Sequence, residues 1–423
     1  MLPAQADVTD RQWAVIEPQL VASSVRLSGR LRRAGEVLLP RSNGAKAARE
    51  LNGALGQIEL DMARAFTFFD TYMDVLTQRH SPELGAVLAG CDVLALEAMR
   101  RDHPALAIIE PPLVYCERGI GAAIARESVP FPDGSSNPMP LIQIPYARLS
   151  EKYNLTSLLH EAGHQALYRL QVVGVLPKLM SAALIEAGAS KTVSQLFSLW
   201  TFEIAPDFWA FGLTGVAEAA AVCELFAMPR AQALRIAPND PHPPPYLRAL
   251  LCFDWCRRAW GQGMWDEWER DWLEAYPLEG LPPESRSLMI EARRLVPVVG
   301  QALFEGRLQL LGGRRLLDLL DLPAVSPARL ESVAGNARRN VDLKGLTPCA
   351  QLAAFRMIRE WRRIPEDRLD RLMTGWLIKI GKDRRRSMKK PFGMENQHAQ
   401  ANGALRFDTA RFTALGPGID DGG

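Results

Sequence analysis

From Ala45 to about Gln78, apolar residues recur at Leu51, Leu55, Ile58, Met62, Ala65, Phe66, Phe69, Met73 and Leu76, with charged residues between them. Spacing of three and four predicts one long amphipathic helix. A shorter helix is expected before it, capped by Thr9 or Asp10 ahead of RQWAVIEPQL. Another should follow, opened by Ser81-Pro82-Glu83, running through Met99 and ended by Asp102-His103-Pro104. Residues 1–105 thus predict a helical N-terminal domain, with Phe66, Phe69 and Tyr72 as core. Between 105 and 147 the texture changes to short apolar runs at 108–109, 113–115, 122–125 and 141–144. Pro111-Pro112, Gly119, Gly121 and the turn-rich PFPDGSSNPMP break them up. This predicts a small antiparallel sheet whose last strand, 141–145, is confined by Pro145 to an edge or a strand end.

Helical spacing returns at Ser150 or Asn154, with Leu155, Leu158, Leu159, Ala162, Ala166, Leu167 and Leu170 on the buried side. Further helices are expected at 178–200 and from about 206 to 228, then a rigid Pro-rich connector at 238–246. Two tryptophan-rich amphipathic segments, 247–260 and 265–274, follow. Beyond Pro282-Pro283-Glu284 the helical segments are 287–300, 314–320, 327–336, 348–363 and 366–378. These form an expected helical C-terminal domain, 281–380. The basic run at 379–390 and the Gly-rich 402–423 read as a solvated helix end and a flexible tail, 381–423.

Composition narrows the function classes. The 423 residues are 48% hydrophobic and 23% charged with a net charge of +2. That describes a globular chain of two or three domains, and such a balance makes no case for a nucleic-acid partner. The N-terminus lacks a basic stretch leading into an apolar run, so no secretory signal is expected. No apolar run approaches the length of a membrane span. Six dispersed cysteines suit reduced, cytoplasmic usage. Cys252 and Cys256, at i and i+4, read as buried core thiols rather than a second metal pair.

One stretch carries chemistry. Residues 160–164 read His160-Glu161-Ala162-Gly163-His164, an H-E-x-x-H on a predicted helix. Histidines at i and i+4 lie about 40° apart around the axis, so both imidazoles can reach one ion. Glu161 points about 100° away from His160, free to take a proton from water activated by that ion. Neutral imidazoles with an adjacent carboxylate are what zinc hydrolysis requires. A third protein ligand is then needed, and the other histidines lie elsewhere, His242 beyond the prolyl connector. Downstream carboxylates are Glu186, Glu203, Glu218 and Glu224. Glu203 stands out because Asp207, four residues on, can accept a hydrogen bond from the far nitrogen of a ligating histidine.

HEAGH followed by Glu203-x-x-x-Asp207, and then His242-Pro243-Pro244 with Arg248, resembles the gluzincin metallopeptidases over about 110 residues, 141–250. Membrane-embedded prenyl-protein and heat-shock peptidases show a comparable order but carry transmembrane helices. The resemblance implies a mainly α (α+β) fold with a zincin-like metallopeptidase domain at 106–280, flanked by helical domains. It implies Zn2+ on His160, His164 and Glu203, Glu161 as general base, and Asp207 hydrogen-bonded to a ligand. His242, Tyr246 and Arg248 are candidates for stabilising the oxyanion. A peptide or protein substrate would pair with the 141–145 strand, at Ile142 and Ile144, by β-augmentation. Glu186 remains open as third ligand, its spacing from His164 nearer that of thermolysin, although Ser190 occupies its i+4 place. Pro206 interrupts the expected helix, so either a helix starts there or it kinks there. Two other readings compete: a zinc hydrolase of a non-peptide amide, or dedicated processing or toxin-like effector, and a non-catalytic helical interaction protein.

Overall fold

Thr9 caps the first helix as its sequence predicts. Gln12 N donates to the Thr9 hydroxyl (3.2 Å) while Thr9 N donates to Gln12 Oε1 (2.9 Å), a reciprocal capping box. The computed structural model describes residues 8–38, 44–129, 136–339 and 341–388. Helices α1 (Asp10–Arg33), α2 (Ala45–His80), α3 (Pro82–Met99) and the single turn α4 (Pro104–Ala107) precede a sheet of β1 (Leu113–Glu117), β2 (Ala123–Ala125) and β3 (Leu141–Pro145). After two 3₁₀ turns come α5 (Thr156–Arg169), α6 (Leu176–Glu186), α7 (Lys191–Thr214), α8 (Val216–Leu225) and the short α9 (Arg230–Ala233). Then follow α10 (Pro245–Trp260), α11 (Met264–Ala275) and α12 (Pro283–Glu305), and a small hairpin of β4 (Arg307–Leu308) and β5 (Arg314–Arg315). The last helices are α13 (Pro327–Ala334), α14 (Pro348–Glu360) and α15 (Glu366–Met388). The fold is predominantly helical with a small sheet, the class that the hydrophobic spacing predicts.

The sheet corrects one expectation. Its order is β1-β3-β2, with β1 parallel and β2 antiparallel to β3, so it is mixed and β3 is central rather than an edge. Pro145 is tolerated because it closes the strand, opposite Glu117. Ile142 and Ile144 are fully buried and cannot receive a substrate strand. The outer edge of β1 is also closed, by side chains. Gln78 exchanges two 2.7 Å bonds with the Cys116 backbone, Arg79 donates to Val114 O, and Val114 N donates to Asp92. The buried Arg79–Asp92 pair thereby ties α2 and α3 to the sheet, and Gln12 of α1 joins it through Asp92. β2 pairs with no second described strand, and Asn137 Nδ2 donates to Ala125 O at its end (2.9 Å).

Three helical segments differ from expectation. The segment expected as one helix at 178–200 is broken at Gly188 (φ +73°), and Ser190 caps a new helix by accepting from Val193 N. That helix, α7, then runs unbroken through Pro206. Residues 314–320 form a strand and a 3₁₀ turn instead of a helix, because Gly312-Gly313 turns the chain back on itself. A single cluster of buried side chains extends from Val87 on α3 to Leu377 on α15, with α5, α7, α8 and α10 inside it. Most of the segment expected as a basic, Gly-rich tail, from residue 389 on, lies outside the described residues.

Candidate metal centre

α5 buries Leu158, Leu159, Ala162 and Ala166 and turns His160, Glu161 and His164 toward α7. The two helices approach closely because residue 163 is glycine: a Cβ there would stand 3.2 Å from Pro206 Cα and 3.2 Å from Trp209 Cβ. Trp209 in turn donates its indole N–H to Ala98 O (2.9 Å), fixing α7 against α3. The close approach brings Glu203 onto the two histidines. His160 Nε2 and His164 Nε2 are 3.2 Å apart, and Glu203 Oε2 lies 3.1 Å from the first and 3.6 Å from the second.

Hydrogen bonding fixes the state of His160. Its Nδ1–H donates to Asp207 Oδ1 at 2.7 Å, which leaves Nε2, facing the Glu203 carboxylate at 3.1 Å, to hold an ion or a proton. Asp207 is held on its other side by Arg248, whose Nε and Nη2 donate at 2.7 and 2.6 Å. Three acceptors therefore converge on one point, an arrangement that needs a cation between them. A tetrahedral zinc site with bonds of about 2.0–2.1 Å has ligand-to-ligand edges of about 3.3–3.4 Å. The observed edges of 3.1, 3.2 and 3.6 Å bracket that value. His160, His164 and Glu203 form a metal-binding triad of the HExxH zincin type.

Without an ion, a proton on His160 is the cation that this arrangement favours, and a metal takes its place on binding. Burial opposes a charge on His160, but Asp207 and Glu203 outweigh it and raise the imidazole to about 10. Burial likewise opposes the charged form of Glu203, yet the two histidines hold it well below the ordinary carboxylate range. Asp207, against its own burial, is lowered by Arg248 and His160. Glu161 differs: burial raises it, against the pull of the histidines, which makes it a better proton acceptor than a solvated glutamate.

The remaining expectations divide. Glu186 is exposed at the end of α6 and outside the triad, so Glu203 is the third ligand atom of the cluster. His242 stands at the rim, 60% exposed in its side chain, with Nε2 3.8 Å from Glu203 Oε2 and Nδ1 bonded to Asp240 at 2.7 Å. Tyr246 is not at the centre. It is fully buried, and its hydroxyl accepts from Arg293 of α12 at 3.3 Å, because the first turn of α10 points it into the core. Arg248 reaches the centre only through Asp207. Cys252 and Cys256 are buried free thiols.

Two cavities meet at the triad and share Ala122, Glu161, Glu203 and His242. The larger, about 550 Å³, is walled by Leu167, Val173, Leu176, Leu199 and Phe202, with Ala123 and Ile124 of β2 on one side. The smaller, about 270 Å³, holds the polar and charged side chains of Arg148, Thr156, Glu218 and Arg248 beside apolar ones such as Val222, Leu225 and Phe226. Arg148, Thr156 and the β2 edge went unnoticed in the sequence. Glu218 carried a signal, an acid set among VA and AAAV, which marks a buried carboxylate. The centre is of the kind that supports zinc-activated hydrolysis. No described helix is long and apolar enough to cross a membrane. No protein-family model, curated protein or solved structure matches the chain.

Proposed function

We propose that this protein is a zinc-dependent peptidase cutting peptide bonds in the cleft between α5, α7 and β2. The observation that carries the reading is the triangle of three ligand atoms with edges of 3.1, 3.2 and 3.6 Å. His160, His164 and Glu203 hold the ion, which when bound supplies Lewis acidity that lowers the pKa of water and polarises a carbonyl. Glu161 is the general base. It takes one proton as the water oxygen bonds to the carbonyl carbon, then delivers it to the nitrogen as the C–N bond breaks. Asp207 keeps His160 in the tautomer that presents Nε2, and Arg248 keeps Asp207 in place. His242, at the junction of the two cavities, is the candidate to stabilise the developing oxyanion.

An extended peptide or protein substrate pairs with the outer edge of β2, whose Ala123 and Ile124 wall the larger cavity. The segments 1–105 and 281–380 buttress the catalytic segment 106–280 through the shared core, α3 packing on α5 and accepting the Trp209 indole N–H of α7 at Ala98 O. Six free thiols, five of them buried, suit a reducing compartment such as the cytoplasm.

Zinc stoichiometry of the wild type, His160→Ala and Glu203→Ala, together with cleavage of a peptide library by wild type and Glu161→Gln, tests the reading. About one zinc in the wild type, its loss in both ligand variants, and cleavage abolished by Glu161→Gln without loss of zinc are expected. A zinc-free wild type indifferent to chelators would leave a non-catalytic helical protein. Zinc without peptide cleavage would turn the assignment to another amide.

A further inference from the structure

Glu218 is a buried carboxylate without a cation. Gly215 (φ +61°) turns the chain between α7 and α8 and returns Glu218 alongside α5, where it is 3% exposed and lines the smaller cavity. Both arginines of that cavity are already engaged. Arg248 grips Asp207 with two bonds, while Arg148 donates to Glu151 Oε2 at 3.0 Å and to Ser157 Oγ at 3.3 Å. Glu218 Oε2 has no hydrogen-bond partner, and neither has the Thr156 hydroxyl. That hydroxyl lies near enough to favour the charged carboxyl, yet outside hydrogen-bond geometry. Burial, the largest influence, pushes Glu218 up to about 7. A buried carboxylate in this state carries a desolvation cost that a positively charged partner removes.

We propose that the smaller cavity is a subsite for a primary ammonium group of the substrate, bound by Glu218 with Thr156 as the second acceptor. The word substrate rests on the peptidase reading; the ammonium site itself does not. Charge complementarity selects the ligand. Glu218 is the carboxylate of this cavity not bonded to a cation or to the zinc triad, apart from Glu161, which serves as base. The larger cavity offers no such acceptor beyond Glu161 and Glu203, which serve as base and ligand, and its remaining walls are mostly apolar with Arg126 among them. The cleft therefore reads a cationic group on the α8 side of the scissile bond and an apolar side chain on the α6 side. The ammonium comes either from a peptide N-terminus or from a lysine side chain.

Binding is measured by calorimetry on zinc-loaded Glu161→Gln protein, which removes the proposed base, so that binding is separated from turnover. Three pentapeptides of apolar residues serve as probes: one with a free N-terminus, its N-acetyl form, and an N-acetyl form carrying one lysine. At least one amine-bearing peptide should bind about tenfold or more tighter than the acetylated, lysine-free one, the share of a charge-assisted hydrogen bond. Which of the two does so identifies the source of the ammonium. Adding Glu218→Gln should abolish the difference, with zinc content unchanged, and Glu218→Asp should retain part of it. Thr156→Val, which removes the second acceptor alone, should reduce it while leaving Glu218 in place. Equal binding of all three peptides, or a preference that survives Glu218→Gln, overturns the subsite. Cleavage by the wild type is scored separately: preference without cleavage keeps the subsite and removes the peptidase, and cleavage without preference does the reverse.

Discussion

Replacing Gly163 by valine should separate the third ligand from the two histidines without touching any ligand. The glycine lies inside the motif but faces Pro206 and Trp209, at 3.2 Å from each for an added Cβ. An alanine there asks α7 to yield by a few tenths of an ångström, and its helix propensity, better by about 0.8–1 kcal/mol, offsets the squeeze. Valine places two further carbons about 1.5 Å beyond Cβ, so α7 must retreat by about 1 Å. Glu203, three residues before Pro206, retreats with it. Its distances to the two Nε2 atoms, now 3.1 and 3.6 Å, then pass about 4 Å, beyond the edge that a tetrahedral zinc allows. Overpacking should cost about 1–3 kcal/mol in the metal-free protein. Zinc affinity should fall by about 10–100-fold, the usual scale for displaced support of a ligand. At a free zinc concentration 100 times the wild-type Kd, that removes about 1.3–2.3 kcal/mol of metal-linked stability on top of the overpacking cost. Chelator competition gives the affinity, and denaturant unfolding with and without zinc gives the two stabilities. A Gly163→Val protein that binds zinc as tightly as the wild type would refute the claim that this contact sets the position of Glu203.

Four other outcomes follow from the same geometry. Asp207→Asn should weaken zinc binding by about 10–100-fold, since His160 loses the acceptor that fixes its tautomer. It should also destabilise the protein by about 3–5 kcal/mol, because Arg248 is left buried without its anion; unchanged stability in urea unfolding would show that Arg248 finds another partner. Glu161→Gln should keep one zinc and lose about 10²–10⁴-fold in kcat, read by peptide cleavage beside metal analysis. Arg79→Met should cost about 3–5 kcal/mol through the stranded Asp92 and leave zinc stoichiometry unchanged, since that pair joins α2, α3 and β1 away from the triad. Phe202→Ala should raise KM for peptides with a large apolar residue more than for those with alanine, if the larger cavity receives that residue; an equal change for both would remove it from the cleft.

The parts of this fold legible in the sequence are those set by local spacing and caps. Apolar residues at three and four along 45–78 give α2 its extent, Ser81-Pro82 starts α3, and HEAGH sits on a helix because its apolar neighbours share one face. Pro206 shows where local rules stop. A proline inside a helix costs a hydrogen bond, so a break was the expectation, yet α7 continues because its packing against α5 and α3 outweighs that loss. Strand order was hidden for another reason. Which neighbour β3 takes on each side depends on chain segments 16 to 28 residues away, and Gln78, Arg79 and Asp92 close the β1 edge from other helices. Tyr246 fails as a site residue on the same ground: its direction is decided by the register of α10, one turn of which separates a core position from the Arg248 that reaches Asp207.

The smaller cavity carries this distinction into function. The motif specifies a metal and a base, which many hydrolases share, so it says little about what is cut. Selectivity has to come from groups that the chemistry leaves unused, and such groups are visible only when partners can be counted in space. Asp207 and Glu218 are both buried acids on consecutive helices, and the sequence marks the first by its spacing from Glu203 but leaves the second only as a candidate ligand. In the fold, Asp207 has Arg248 and His160, whereas Glu218, which lines the cavity, keeps a buried carboxyl oxygen without a hydrogen-bond partner. The first acid stabilises the centre by being fully paired. The second is costly to the free protein and becomes favourable only with a cation against it, which is the condition for a residue to discriminate between substrates.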